Sequence, residues 1–114
     1  MEIKGCHIYA ETGVILGHMV KHSIKQKLTG LETIIGVSGT LGGALIMNAG
    51  AFGSEISNCL KNVDVMTLTG EIKQYSIKDI DFNYRHSSFK KDEIIMSANF
   101  ILKKVTKQEI MIKR

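Results

Sequence analysis

The sequence predicts an α+β domain, and three observations carry that reading. Val14, Leu16, Val20, Ile24 and Leu28 recur near helical spacing. Two runs of strand-forming residues, 62–68 and 72–75, flank the turn signal Thr69-Gly70-Glu71. Six of the eleven glycines fall within the eighteen residues from Gly36 to Gly53. With one full-length helix visible, the pattern does not suit a doubly wound sheet.

Taken in order, Ile3 to Ala10 reads as a short strand. A helix follows from Gly13, with Thr12 as its cap and Gly30 as its C-terminal stop. Gly17 inside it costs about 1 kcal/mol against alanine, which implies close packing on that face. Leu31 to Ile35 leads into the glycine run. Ala44 to Ala51 reads as a short helix or as a tight loop of small residues, and periodicity does not decide. Asn62 to Leu68 is a strand with Val63 and Val65 on one face and Asp64 and Met66 on the other. Ile72 to Tyr75 completes a hairpin. Ser76 and Asp79 have the spacing of a capping box and predict one helical turn before Phe82. Asn83 to Lys91 is polar and irregular, and Ile94 to Val105 is a long strand.

Composition excludes several function classes. One domain is the ceiling for 114 residues. The net charge of +4 is mild, and the few aromatics are not interleaved with the lysines, which argues against nucleic acid as a partner. No apolar run reaches the roughly 18 residues of a membrane span, and no signal peptide is visible, so no membrane partner and a cytoplasmic location are expected. Cys6 and Cys59 read as two reduced thiols. No His, Cys, Asp or Glu cluster has metal-ligand spacing, so no metal is expected.

The glycine run, Gly36-Val37-Ser38-Gly39-Thr40-Leu41-Gly42-Gly43-Ala44 and onward, is almost uncharged. It lacks the lysine of a phosphate-binding Walker loop and the GxGxxG spacing of the dinucleotide fingerprint. Glycines admit close approach to the backbone, and successive amides can cradle an electron-rich group. Neutral residues with backbone amides suit a flat heterocycle better than a metal. Thr40 adds a hydroxyl. Asn48 adds an amide that pairs either with local backbone or with a ligand. A tight loop with no ligand is the competing reading.

The second cluster is Tyr84-Arg85-His86-Ser87-Ser88-Phe89-Lys90. Arg85 is the only arginine before Arg114 in a lysine-rich chain. Its planar fork suits a carboxylate clamp or a developing enolate, or else it ties down its own loop. No GxSxG surrounds the serines, which disfavours hydrolase chemistry.

Together these clusters resemble the bacterial UDP-N-acetylenolpyruvoylglucosamine reductases over roughly residues 5 to 103. The resemblance rests on Gly36 to Ala44, on Asn48-Ala49-Gly50-Ala51-Phe52-Gly53-Ser54-Glu55, and on the Tyr84 to Lys90 segment. It implies a partial FAD-binding domain of the vanillyl-alcohol-oxidase (PCMH) type over 1–105, with an antiparallel or mixed sheet and flanking helices. Residues 106–114 would be a tail or the start of a substrate domain. The implied activity is NADPH- and FAD-dependent reduction of a UDP-sugar enolpyruvyl ether to UDP-N-acetylmuramate, for peptidoglycan precursors and hence cell shape and division.

The resemblance places Gly36, Val37, Ser38, Gly39, Thr40, Gly42, Gly43, Ile46, Asn48, Ala49 and Gly50 beside FAD, with Ile94 or Ile95 near its adenine. It makes Arg85 the catalytic residue, with Tyr84, Ser87 and Phe52 as substrate or supporting residues. Ser38 stands where the family has proline, which loosens the loop. Phe52 replaces a tyrosine and loses its hydroxyl. The family's other glycine-rich loop and its serine and glutamate acids have no counterpart here. The expectation is therefore a chain inactive alone, a partner to missing flanking segments and prone to self-association through open sheet edges. The alternatives are another FAD-dependent oxidoreductase of this fold and a non-catalytic interaction module.

Overall fold

The computed structural model describes residues 1–51, 54–80, 82–83, 86–87, 89 and 93–104, with backbone only at 51, 54, 83, 86 and 87. Its frame is a five-stranded sheet in which every pairing is antiparallel. The sheet opens with β1 (Glu2–Lys4) and β2 (His7–Glu11). The sequence predicts one strand here, but Gly5, at φ +56, turns the chain back so that Lys4 pairs with His7. A two-residue turn of this hand favours glycine.

Helix α1 (Leu16–Lys25) buries Leu16, Met19, Val20, Ser23 and Ile24, one face at helical spacing. The Ser23 hydroxyl is satisfied by Val20 O at 2.7 Å. The helix starts later than predicted. Its N-cap is Ile15, with no side-chain bond, because Thr12 lies in a turn ahead of it. It ends at Gln26, not Gly30. Gly30 instead follows the two-residue strand β3 (Leu28–Thr29), at φ +137. Gly17 packs on nothing: a β-carbon there would meet no atom within 4 Å.

A 3-10 turn over Glu32–Ile34 leads to α2 (Leu41–Ile46), so the small-residue segment begins as a short helix. Two-residue strands β4 (Gly50–Ala51) and β5 (Ser54–Glu55) pair beyond it. A 3-10 turn over Ile56–Cys59 follows. The predicted hairpin is present as β6 (Leu60–Thr67) and β7 (Ile72–Ser76). Val63 and Val65 point into the core and Asp64 and Met66 away from it, as the alternation predicts. The Ser76 amide and hydroxyl both donate to Asp79 Oδ2, at 2.9 and 3.1 Å, and start the predicted 3-10 turn over Ile77–Asp79.

Strands β8 (Phe82–Asn83) and β9 (His86–Ser87) then pair. The long final strand is β10 (Glu93–Ile101), interrupted before β11 (Lys103–Lys104), which pairs with β3. Val105 and residues 106–114 lie outside the described residues.

Strand order is β1-β2-β10-β6-β7. One face of the sheet joins the core of Ile8, Ala10, Val63, Val65, Ala98 and Phe100 with α1 and α2 side chains such as Met19, Val20, Leu41 and Leu45. No described element covers the other face, and on it Tyr9, Ile72, Ile94 and Met96 are exposed. Burying the first face is what fixes register, because a one-residue slip would invert every side chain.

Candidate functional site

The glycine run folds as an exposed ledge ending in α2. Gly36, Ser38, Gly39 and Thr40 are exposed. The ledge continues along α2 through Gly43, Ile46 and Met47, which share one helical face. A β-carbon at Gly36 or Gly39 would meet nothing within 4 Å. The bare backbone therefore faces open space, and at Gly39 the φ of +108 is a second reason for glycine. The surface is neutral and partly apolar, with Ile15, Ile35, Ile46 and Met47 all exposed.

The expectation of free amides around Thr40 is corrected by the structure. Leu41 N–H donates to Val14 O at 2.8 Å, and Gly42 N–H to Thr12 O at 3.1 Å. Gly43 N–H reaches the Thr40 hydroxyl at 3.4 Å, so that threonine caps α2. The first turn of α2 is thus engaged inside the protein. The ledge offers flat backbone and aliphatic surface in preference to a phosphate cradle.

Asn48 and Ala49 sit behind the ledge. Asn48 is 1% exposed and adopts φ +46. Its Oδ1 accepts from Ser57 N–H at 3.4 Å, while Ala49 O accepts from Ile56 N–H at 2.8 Å. These contacts hold the chain after α2 against the 3-10 turn over Ile56–Cys59.

A second concavity, about 700 Å³, opens on the uncovered sheet face. Thr12, Gly13 and Val14 form one wall, and Ile72, Ile94 and Met96 supply aliphatic surface. A polar row crosses its floor by register, Glu11 opposite Ser97 and Ser97 opposite Asp64, and beyond the floor Asp64 stands opposite Gln74. Asp64 accepts from Ser97 Oγ at 3.1 Å and from Gln74 Nε2 at 3.0 Å. Acidic and lined by no described cation, this floor disfavours phosphate and suits a flat group that donates hydrogen bonds.

Ile94 and Ile95 part company here. Ile94 is 56% exposed on the open face, whereas Ile95 is 8% exposed and belongs to the core. Thr12 to Val14 is a site element the sequence reading missed.

The second sequence cluster is only partly described. The backbone of β9 adjoins α2, so the segment bearing His86 and Ser87 lies beside the ledge. Phe82 and Phe89 meet edge to face, with ring centres 6.1 Å apart. Phe52, Tyr84 and Arg85 lie outside the described residues. Among the described residues no group of three metal-ligating side chains occurs.

The FAD binding domain family matches residues 3–76, the span holding the ledge and the Thr12–Val14 turn. The chain belongs to that family. A ledge of bare, neutral backbone fits the isoalloxazine and ribityl parts of the family's cofactor, FAD, which need close approach without charge.

This FAD binding domain is also similar to UDP-N-acetylenolpyruvoylglucosamine reductases. It is 45% identical over 106 residues to that of Francisella tularensis, covering 90% of this chain and 38% of the relative. It is 37% identical over 112 residues to that of Lactobacillus acidophilus, covering 97% and 38%. The crystal structure of UDP-N-acetylenolpyruvylglucosamine reductase from Thermus caldophilus superposes with a TM-score of 0.87 at 28% identity, over 97% of this chain and 41% of that one. The domain therefore spans about two fifths of the length of the proteins it matches, and the sheet is antiparallel as the resemblance implies.

Proposed function

We propose that this domain is one wall of the FAD site of a UDP-N-acetylenolpyruvoylglucosamine reductase, working in the cytoplasm on peptidoglycan precursors. The observation that carries the reading is the exposed, uncharged ledge from Gly36 to Thr40, continued by Gly43 and Ile46, in a chain of the FAD binding domain family. No helix among the described residues is long and apolar enough to cross a membrane.

In this reading Gly36, Val37, Ser38, Gly39, Thr40, Gly43 and Ile46 hold the ring and ribityl chain. Gly42, Asn48, Ala49 and Gly50 hold the ledge itself. Ile94 and the Thr12–Val14 wall take the adenine end. FAD, when bound, supplies hydride transfer between NADPH and the enolpyruvyl group. The chain's own residues exclude water from one side of the ring and fix its plane. Arg85 binds the substrate carboxylate and offsets negative charge that develops beside it, with Tyr84 and Ser87 supporting it. Phe52 gives apolar contact without a hydroxyl.

Among the described residues the ledge is open to solvent, so the 114 residues alone are expected to hold FAD weakly and to turn over nothing. The test is a chimera in which this chain replaces the matching segment of the Francisella tularensis reductase. Expected are FAD retained on purification, enolpyruvyl-sugar-dependent NADPH oxidation, and loss of turnover without loss of FAD in Arg85→Ala. A folded, FAD-loaded chimera that oxidises an alcohol and ignores the enolpyruvyl sugar overturns the reductase reading. Turnover by the 114 residues alone overturns the inactivity claim.

A further inference from the structure

The turn of Thr12, Gly13 and Val14 is shared by the two surfaces. On the sheet side, Thr12 N–H donates to Met96 O at 3.1 Å, at the irregularity between Ile95 and Ser97 in β10. On the ledge side, Thr12 O and Val14 O take the first two amides of α2, and Leu16 N–H donates to Gly39 O at 2.9 Å. Gly42 sits against this turn. A β-carbon there would stand 3.1 Å from Thr12 Cβ and 3.5 Å from Thr12 O. Its φ is not in the left-handed region, so conformation does not demand glycine. Nor would its side chain face the open side, as one at Gly36 or Gly39 would. Glycine at 42 is there for contact with Thr12.

We infer that Thr12 and Gly42 are a positioning pair that sets the spacing between the ledge and the sheet-face cavity, so that one extended ligand meets both. The inference rests on the flavin reading of the ledge. Two half-ligands held at matched spacing bind far more tightly when linked than apart. A shift in spacing forfeits that gain while leaving each half-site intact. Gly42→Ala puts a β-carbon 3.1 Å from Thr12 Cβ, a contact that the turn and α2 relieve by giving a few tenths of an ångström.

The test titrates the full chain with FAD, riboflavin and ADP, alongside amide hydrogen exchange. Gly42→Ala is expected to weaken FAD by roughly tenfold or more, and riboflavin and ADP each by less than roughly threefold. Exchange at the amides of Thr12, Leu41 and position 42 is expected to rise while β6 stays protected. In a Thr12→Gly background, which removes the opposing β-carbon, Gly42→Ala is expected to cost FAD affinity less than roughly threefold. Equal losses for all three probes, unchanged FAD binding, or an undiminished cost of Gly42→Ala in the Thr12→Gly background overturns the pairing. If the unmodified chain binds none of the probes, the flavin reading fails. The pairing then stands or falls on whether exchange at Thr12 responds to Gly42→Ala.

Discussion

Gly30 leaves its side-chain space to Cys59: a β-carbon on Gly30 would lie 2.5 Å from the Cys59 sulfur, and the glycine holds φ +137. Two penalties therefore meet in Gly30→Ala, a backbone conformation that L-residues avoid and a contact with no room. The expected loss of stability is about 2–4 kcal/mol, read from urea unfolding. The double variant Gly30→Ala/Cys59→Ala relieves only the contact and recovers part of it. Full recovery would show that the φ carries no cost.

The same sulfur gives a pH signature. Burial, and after it the nearby Glu32 carboxylate, push the Cys59 thiol above its ordinary value. A thiol raised on folding keeps its proton longer in the native state. Its contribution to stability is complete below the unfolded pKa of about 8.5 and is lost as pH rises through the higher folded value. Melting temperature should fall over that alkaline window, and less so in Cys59→Ala. At pH 8 iodoacetamide should label Cys59 more slowly in the native chain than in urea, because the thiolate is the nucleophile. Equal rates would contradict the burial.

Asn48 supports the ledge from behind, and its left-handed φ of +46 suits asparagine and glycine. Asn48→Ala combines backbone strain with loss of the acceptor for Ser57 N–H, and should cost about 2–3 kcal/mol. Asn48→Gly keeps the conformation and should cost less. Reversal of that order in thermal unfolding would mean that the left-handed φ carries no cost.

These three sites show what sequence can and cannot display. The β6–β7 hairpin and the Ser76–Asp79 capping box were legible because each is decided by residues within a few positions. The glycine run was legible as an approach surface because composition records it. Gly30 was misread as a helix stop because β3 has two residues and leaves no periodic trace. Gly5 split the first strand through a two-residue turn that the apolar pattern on either side concealed. Thr12 was misassigned as a cap because its real partners, Gly42 and Met96, are distant in the chain. The Ile94/Ile95 pair looked equivalent until register separated their faces.

That separation is itself testable. Ile94→Asp changes only the open sheet face and should leave the fold intact while weakening ADP and FAD roughly fivefold or more. Ile95→Asp places a carboxylate in the core and should unfold the domain. Circular dichroism with nucleotide titration distinguishes them. A folded Ile95→Asp, or unchanged nucleotide binding in Ile94→Asp, would contradict the assignment of the two faces.

The central claim is that the ledge is a flavin-facing wall. It is tested most directly by titrating the ¹⁵N-labelled chain with FAD and following amide shifts. The account predicts saturable changes at Gly36, Val37, Ser38, Gly39, Thr40 and Gly43, with a second set at Gly13 and Ile94, and a weak overall affinity. Changes confined to the β6–β7 edge or to α1, or no change at these residues when FAD is in large excess, would contradict it.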